Sequence, residues 1–269
     1  MVKKLMKYEF AAYSKTMLPM LIILFGVSLL TRFIQLFEAN TSAYKIVFTS
    51  SIVALVISMI VCLVMTVFVA ISRYYKNLFT LEGYLSFTLP VTTTQHIFNK
   101  LIVAVIFTLI SIVSVILSGM IAMQFSVLKE VIKAGNYLLV RLFHTFSTTH
   151  LIFYIVESII GFLVIMSTNY LLYYLCMTLG QLAKKNRVLL SFGVYFGYYF
   201  VTQILGTIFI VVFSAFANEI TTAISNFFAA HTYAAIHITI CSATVFTAIL
   251  GAVYFFVSHY IIRKKLNLE

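Results

Sequence analysis

The composition of this 269-residue chain excludes a water-soluble globular protein. Hydrophobic residues make up 62% of it and charged residues only 9%, whereas a soluble domain carries roughly 25% charged residues. In water, such a chain would expose large apolar patches and aggregate. Lysine and arginine number 18 against seven acidic residues. This basic excess in an apolar chain is typical of residues beside a membrane that attract anionic lipid, and it predicts no nucleic-acid partner.

The first predicted element is an interfacial amphipathic helix over residues 2–16. Its lysines lie largely away from an apolar face, so we expect it to rest on the cytoplasmic surface of the membrane. Alternatively, the stretch is only a positively charged start that sets the topology. The apolar run behind it is too long for a signal-peptide core and lacks a cleavage site, so we expect a retained first span. The apolar face consists of Leu5, Met6, Phe10, Tyr13 and Met17.

Six apolar runs are long enough to cross a bilayer. About 20 residues of helix span the roughly 30 Å of hydrocarbon. The runs are continuous rather than alternating, which favours helices over the strands of a barrel. The sequence therefore predicts an all-α integral membrane protein that forms a single membrane domain over residues 1–269. The predicted spans are residues 17–37, 46–71, 101–128, 151–180, 188–218 and 234–262.

The basic residues predict the orientation of these spans. When connections are assigned to alternating sides, one side holds 13 of the 18 lysine and arginine residues, including those near both termini. Because basic residues concentrate on the cytoplasmic side, we expect both termini in the cytoplasm.

The longest connection on the predicted cytoplasmic side covers residues 72–100. It is dense in aromatic residues, and its Glu82-Gly83 break and Leu89-Pro90 stop predict a short amphipathic helix and a turn before the third span. Exposed aromatic residues of this kind either lie among lipid headgroups or dock a partner.

Two connections on the opposite side differ in character. Residues 218–233 carry apolar side chains at helix-like spacing, which favours a short re-entrant or surface helix, and a plain apolar loop is the alternative. Residues 129–150 hold charged residues and histidines, and we interpret them as the most polar connection of the exterior.

Motifs for catalysis are missing from the sequence. No Gly-rich phosphate-binding loop, HExxH, GxSxG or CxxC pattern occurs, and the chain contains no aspartate. We therefore expect no enzyme activity, no cofactor and no ATP hydrolysis by this chain. Cys62, Cys176 and Cys241 each lie in an apolar stretch, where thiols act as small core residues, so we expect no disulfide and no metal site.

Three residues inside predicted spans are candidates for function or packing. Glu157 lies near one end of the fourth span, where a charge is costly and often functional, as a substrate contact or a proton-sensitive group. A hydrated or protonated carboxyl without a role is the alternative. Gly193 and Gly197 form a GxxxG pattern in the fifth span, which predicts close packing against another helix, including one of a second copy.

The segment over residues 73–101, RYYKNLFTLEGYLSFTLPVTTTQHIFNKL, resembles a segment of the permease subunits of bacterial ABC transporters of the ABC-2 type. The predicted topology is similar as well. The resemblance implies a multi-pass protein of the bacterial cytoplasmic membrane, half of an export pathway, that pairs with a second permease subunit, identical or different. It also implies a separate ATPase subunit that contacts a coupling helix. The residues in or beside that coupling helix are Glu82, Tyr84, Leu85 and Phe87.

A non-transporting membrane protein is the alternative function. A bacteriocin-immunity or sensory component that binds a partner in the bilayer would also be small and apolar. Such a binder has no need for an aromatic surface that faces the cytoplasm, so the segment over residues 72–100 favours the transporter. A membrane enzyme is disfavoured because the catalytic groups are missing.

Overall fold

The protein is almost entirely helical in the part that the computed structural model describes, namely residues 2–37, 41–80, 83, 91–183, 185–215 and 217–264. Six helices of this part are long and apolar enough to cross a membrane, which confirms the predicted all-α membrane architecture with six spans. The helices are α1 (Val2–Gln35), α2 (Ser42–Phe79), α3 (Thr93–Ala122), α4 (Phe125–Thr145), α5 (Thr148–Gly180), α6 (Arg187–Ala215), α7 (Ala217–Ala230) and α8 (Thr232–Lys264).

Helix α1 joins the predicted interfacial helix to the first span without a break, and Pro19 lies inside it. The predicted apolar face is largely covered by protein. Tyr13 and Met17 are buried, and the rings of Phe10 and Tyr13 lie 5.4 and 4.9 Å from the ring of Phe107 on α3. The apolar face of this segment therefore packs on α3, and its contact with the membrane surface stays a prediction.

The predicted third span, residues 101–128, has the wrong bounds. Helix α3 begins earlier, because the Thr92 hydroxyl accepts a hydrogen bond from the backbone N–H of Gln95 and the Gln95 side chain accepts one from the Thr92 N–H, which forms a capping box. It ends at Ala122, and α4 follows after two residues. Most of the predicted polar connection over residues 129–150 is therefore helix, since its polar and apolar residues alternate with the helical period.

The second helix is longer than predicted, and the predicted short helix before the last span is present. Helix α2 continues to Phe79, past the predicted end of the second span at residue 71. The connection predicted as a short surface or re-entrant helix contains α7, which excludes a plain loop there.

The first of two compact units contains α1 to α4. In it, α1, α2 and α3 pack against one another. A hydroxyl pair joins two of these helices in the interior, since Thr66 Oγ1 on α2 and Ser111 Oγ on α3 lie 2.8 Å apart. Near the C-terminal end of α1, Arg32 and Gln35 donate hydrogen bonds to the backbone carbonyls of Met123 and Ala122. These donors satisfy carbonyls that the end of α3 leaves without helical partners.

The second unit contains α5 to α8. Helix α5 packs most extensively on α8, with α6 on another side. The α5–α8 pair runs parallel, because its contacts keep a nearly constant sequence offset, from Tyr154–Tyr233 to Thr168–Thr247. Small residues allow these two backbones to approach, and Gly161 and Gly251 lie directly against threonines of the opposite helix.

Candidate functional site

A buried ionic cluster joins the three packed helices of the first unit. Glu9 of α1 accepts hydrogen bonds from Arg73 of α2 through both carboxylate oxygens, each at 3.1 Å. Lys100 of α3 donates to Glu9 Oε1 at 3.1 Å, and Asn77 of α2 donates to Oε2 at 3.4 Å. One carboxylate therefore holds cations from two other helices.

The charged groups of this cluster are largely buried, so each needs a compensating partner. The side chains of Glu9 and Lys100 are only 6% and 5% exposed, and that of Arg73 is 23% exposed. Buried charges are tolerated only when they are paired and hydrogen-bonded, as these are. The guanidinium of Arg73 also lies 5.6 Å from the centre of the Tyr13 ring, which adds a cation–π contact.

Sequence reasoning missed this cluster. Its three charged members lie far apart in the chain, at residues 9, 73 and 100, and no local pattern joins them. A signal was present, however, because Glu9 lies on the same helical stripe as Tyr13 and Met17. A lone acid on the apolar face of a lysine-rich helix indicates a buried basic partner.

The cluster involves the two helices that flank the predicted coupling segment in the sequence. Arg73 precedes the end of α2 at Phe79, and Lys100 follows the start of α3 at Thr93. Glu9 thus holds together the two helices that flank residues 81–90. The sequence-predicted residues Glu82, Tyr84, Leu85 and Phe87 lie outside the described residues.

A second polar cluster lies in the second unit, around the predicted intramembrane Glu157. His237 Nδ1 on α8 is 2.8 and 2.9 Å from the two carboxylate oxygens of Glu157 on α5. His237 Nε2 is 3.2 Å from Nδ1 of His150, also on α5. The three side chains form a hydrogen-bonded chain, with Glu157 and His237 about one quarter exposed.

Tyrosines surround the two histidines of this chain. The ring of His150 stacks on that of Tyr233 at 4.6 Å, and the ring of His237 lies 4.4 Å from that of Tyr154. The Tyr154 hydroxyl donates to the backbone carbonyl of Tyr233 at 3.1 Å. The sequence indicates Glu157 but gives no sign of His237 as its partner, since only the parallel packing of α5 and α8 brings His237 into place.

The three side chains are arranged in a line. Among the described residues, no group of three or more His, Cys, Asp or Glu side chains could hold a metal ion. An ionised carboxylate only accepts hydrogen bonds, so His237 Nδ1–H donates to Glu157, and His237 Nε2 either accepts from His150 or donates to it. The chain therefore links α5 to α8 through hydrogen bonds.

Tyrosines also gather between α5, α6 and α8. The hydroxyl oxygens of Tyr198 and Tyr254 lie 2.5 Å apart, and the ring of Tyr195 lies 5.6 Å from Tyr173 and 4.8 Å from Tyr199. No spacing in the sequence signals this group, because its members come from three helices.

The two predicted packing glycines make no close contact in this structure. A Cβ added at Gly193 or Gly197 would meet no atom within 4 Å among the described residues. Close approaches occur instead at Gly161 and Gly251, where an added Cβ would lie 2.9 and 2.7 Å from the hydroxyl oxygens of Thr244 and Thr168, and at Gly180, where it would overlap the side chain of Ser191 on α6. Packing at Gly193 and Gly197 therefore stays a prediction about a second chain.

A scan for known protein families, a comparison with curated proteins and a comparison with solved structures each found no match for this chain.

Proposed function

We propose that this chain is the membrane-spanning subunit of an ABC-2-type exporter in a bacterial cytoplasmic membrane. It forms half of a translocation pathway, and a separate ATPase subunit supplies the energy. The proposal rests on the resemblance of residues 73–101 and on the six membrane-length helices.

One structural observation supports the proposal most directly. Helices α2 and α3 have 38 and 30 residues, more than the about 20 that a bilayer requires. The ionic cluster joins both helices to α1 about two turns from the end of α2 at Phe79 and from the start of α3 at Thr93. Because the cluster joins α1, α2 and α3, a displacement of the coupling segment by the ATPase would be transmitted to all three helices. Energy coupling requires such a connection.

A second subunit would complete the pathway. Among the described side chains of α6, only Ser191 is buried, so the described part of the structure leaves most of this helix exposed. Gly193 and Gly197 lie on it in open positions, where another helix can approach closely. We assign α6 to the contact with the second permease subunit.

The coupling role is tested by replacing Tyr84 and Phe87 together with alanine. Aromatic anchors carry much of the binding energy of an interface, so the ATPase should detach or lose its response to substrate while the membrane fold stays intact. The measurements are the amount of a Walker-motif protein that copurifies in detergent and the ATP hydrolysis of the complex in liposomes.

Phe68→Ala is the matched control, because Phe68 is an exposed aromatic residue of α2 at a distance from the segment. It should leave both measurements unchanged. If the double variant behaves like this control, the coupling role is wrong. If no Walker-motif protein copurifies with the unmodified chain, the transporter proposal itself fails and a non-transporting membrane protein takes its place.

A further inference from the structure

Helix α4 has one apolar face that its own unit leaves bare. None of its side chains is buried, and its large apolar residues are 42–64% exposed, apart from the partly covered Leu128. Most of them fall on one side of the helix, and the charged residues lie on the other side together with Tyr137 and Val140. The apolar face consists of Phe125, Val127, Leu128, Val131, Ile132, Leu138, Leu139, Leu142 and Phe143.

The connections of α4 restrict where this face can lie. Two residues separate α4 from α3 and two separate it from α5, and both neighbours are membrane-length helices. Each end of α4 is therefore tied to the end of a span. A helix of 21 residues is about 31 Å long at 1.5 Å per residue, and these short tethers keep it beside the bilayer.

The polar face of α4 carries a net positive charge, which favours an anionic surface over a neutral one. Lys129, Lys133 and Arg141 are exposed there, against a single acid, Glu130. The Lys129 ammonium lies 4.7 Å from the centre of the Phe125 ring at the start of the helix. Three cations above an apolar face match the anionic headgroups and acyl chains of a phospholipid surface.

We propose that α4 is an interfacial helix that binds the anionic phospholipid surface of the membrane, with its apolar face in the acyl boundary and its basic face among the headgroups. This inference stands on α4 alone and does not depend on the transport function.

The test uses the full chain in lipid nanodiscs, with the native cysteines replaced by serine and single spin labels placed on α4. Labels at Val131, Leu138 and Leu142 should collide more with oxygen, which partitions into lipid, than with a water-soluble nickel chelate. Labels at Lys129, Lys133 and Arg141 should show the reverse preference. The difference should follow the helical period.

The second arm compares nanodiscs of phosphatidylglycerol with nanodiscs of phosphatidylcholine. The apolar-face labels should be better shielded from nickel in the anionic lipid, and the triple variant K129E/K133E/R141E should lose that difference. All three replaced residues are exposed, so the variant should fold normally. Equal accessibility of the two faces, or shielding that ignores the lipid charge, would overturn the proposal. Shielding of both faces would overturn it too, because a protein partner would then cover the helix.

Discussion

The two units of this protein hold their helices together by different means. In the first unit, α1, α2 and α3 share a buried carboxylate with two cations. In the second unit, α5 and α8 approach closely at Gly161 and Gly251, and a half-buried His–Glu chain joins them at one end. The first unit therefore depends on charge compensation and the second on backbone contact.

The two units should therefore differ in which substitutions lower their stability most. A buried ion pair is sensitive to the loss of one partner, because the other charge is then left without compensation. A glycine contact is sensitive to added volume, because membrane helices associate mainly by packing. A partly hydrated hydrogen bond is the least sensitive of the three, since water can replace the missing partner.

The largest effect is expected from Glu9→Gln in the first unit. The change keeps the shape of the side chain but leaves Arg73 and Lys100 without a counter-charge, so the free energy of unfolding should fall by roughly 3–5 kcal/mol. Thermal or detergent-induced unfolding, followed by circular dichroism, measures it. Glu130→Gln on the exposed surface of α4 is the matched control and should change stability by under about 0.5 kcal/mol.

A second substitution sharpens this prediction. Adding Lys100→Met to Glu9→Gln removes one of the two uncompensated cations, so the double variant should be more stable than Glu9→Gln alone. If Glu9→Gln is as mild as its control, the cluster does not hold the first unit together, and the contrast between the two units disappears.

The sequence predicted the spans well because a span depends on a local property. Continuous apolar runs located all six membrane-length helices. Sequence reasoning failed where two distant segments meet, as at Glu9 with Lys100 or Glu157 with His237. The connection predicted over residues 129–150 is mostly helix α4. The helical spacing of its charged and apolar residues is the sequence signal that indicates this helix.

The glycine predictions show the same limit. The GxxxG pattern of Gly193 and Gly197 is the visible signal, yet the tight contacts lie at Gly161, Gly180 and Gly251. Each of these glycines meets a threonine or serine on another helix, and no short-range pattern indicates such a pair. A local motif therefore indicates that a helix can pack closely, while the packed fold decides which helix does.

An intermediate effect is expected from Gly251→Ala in the second unit. The added Cβ would lie 2.7 Å from Thr168 Oγ1, closer than real contacts allow, so α5 and α8 must separate at a cost of about 1–3 kcal/mol in unfolding free energy. The same measurement on Gly193→Ala, which adds a methyl group in open space, should show no loss, because alanine is the better helix former.

Thr168→Ala provides a rescue for the glycine substitution. Removing the hydroxyl clears the nearest atom, so Thr168→Ala combined with Gly251→Ala should recover part of the lost stability. If Gly251→Ala and Gly193→Ala have equal effects, close backbone approach is not what joins α5 and α8.

The smallest effect is expected at the His–Glu chain, measured by a double-mutant cycle of Glu157→Gln and His237→Leu. Hydrogen bonds between membrane helices contribute about 0.6 kcal/mol on average and up to about 1.7 kcal/mol, and we expect a coupling energy within that range. A coupling energy near zero would show that this chain does not join α5 and α8. A coupling energy as large as the effect of Glu9→Gln would show that the second unit, too, depends on charge compensation.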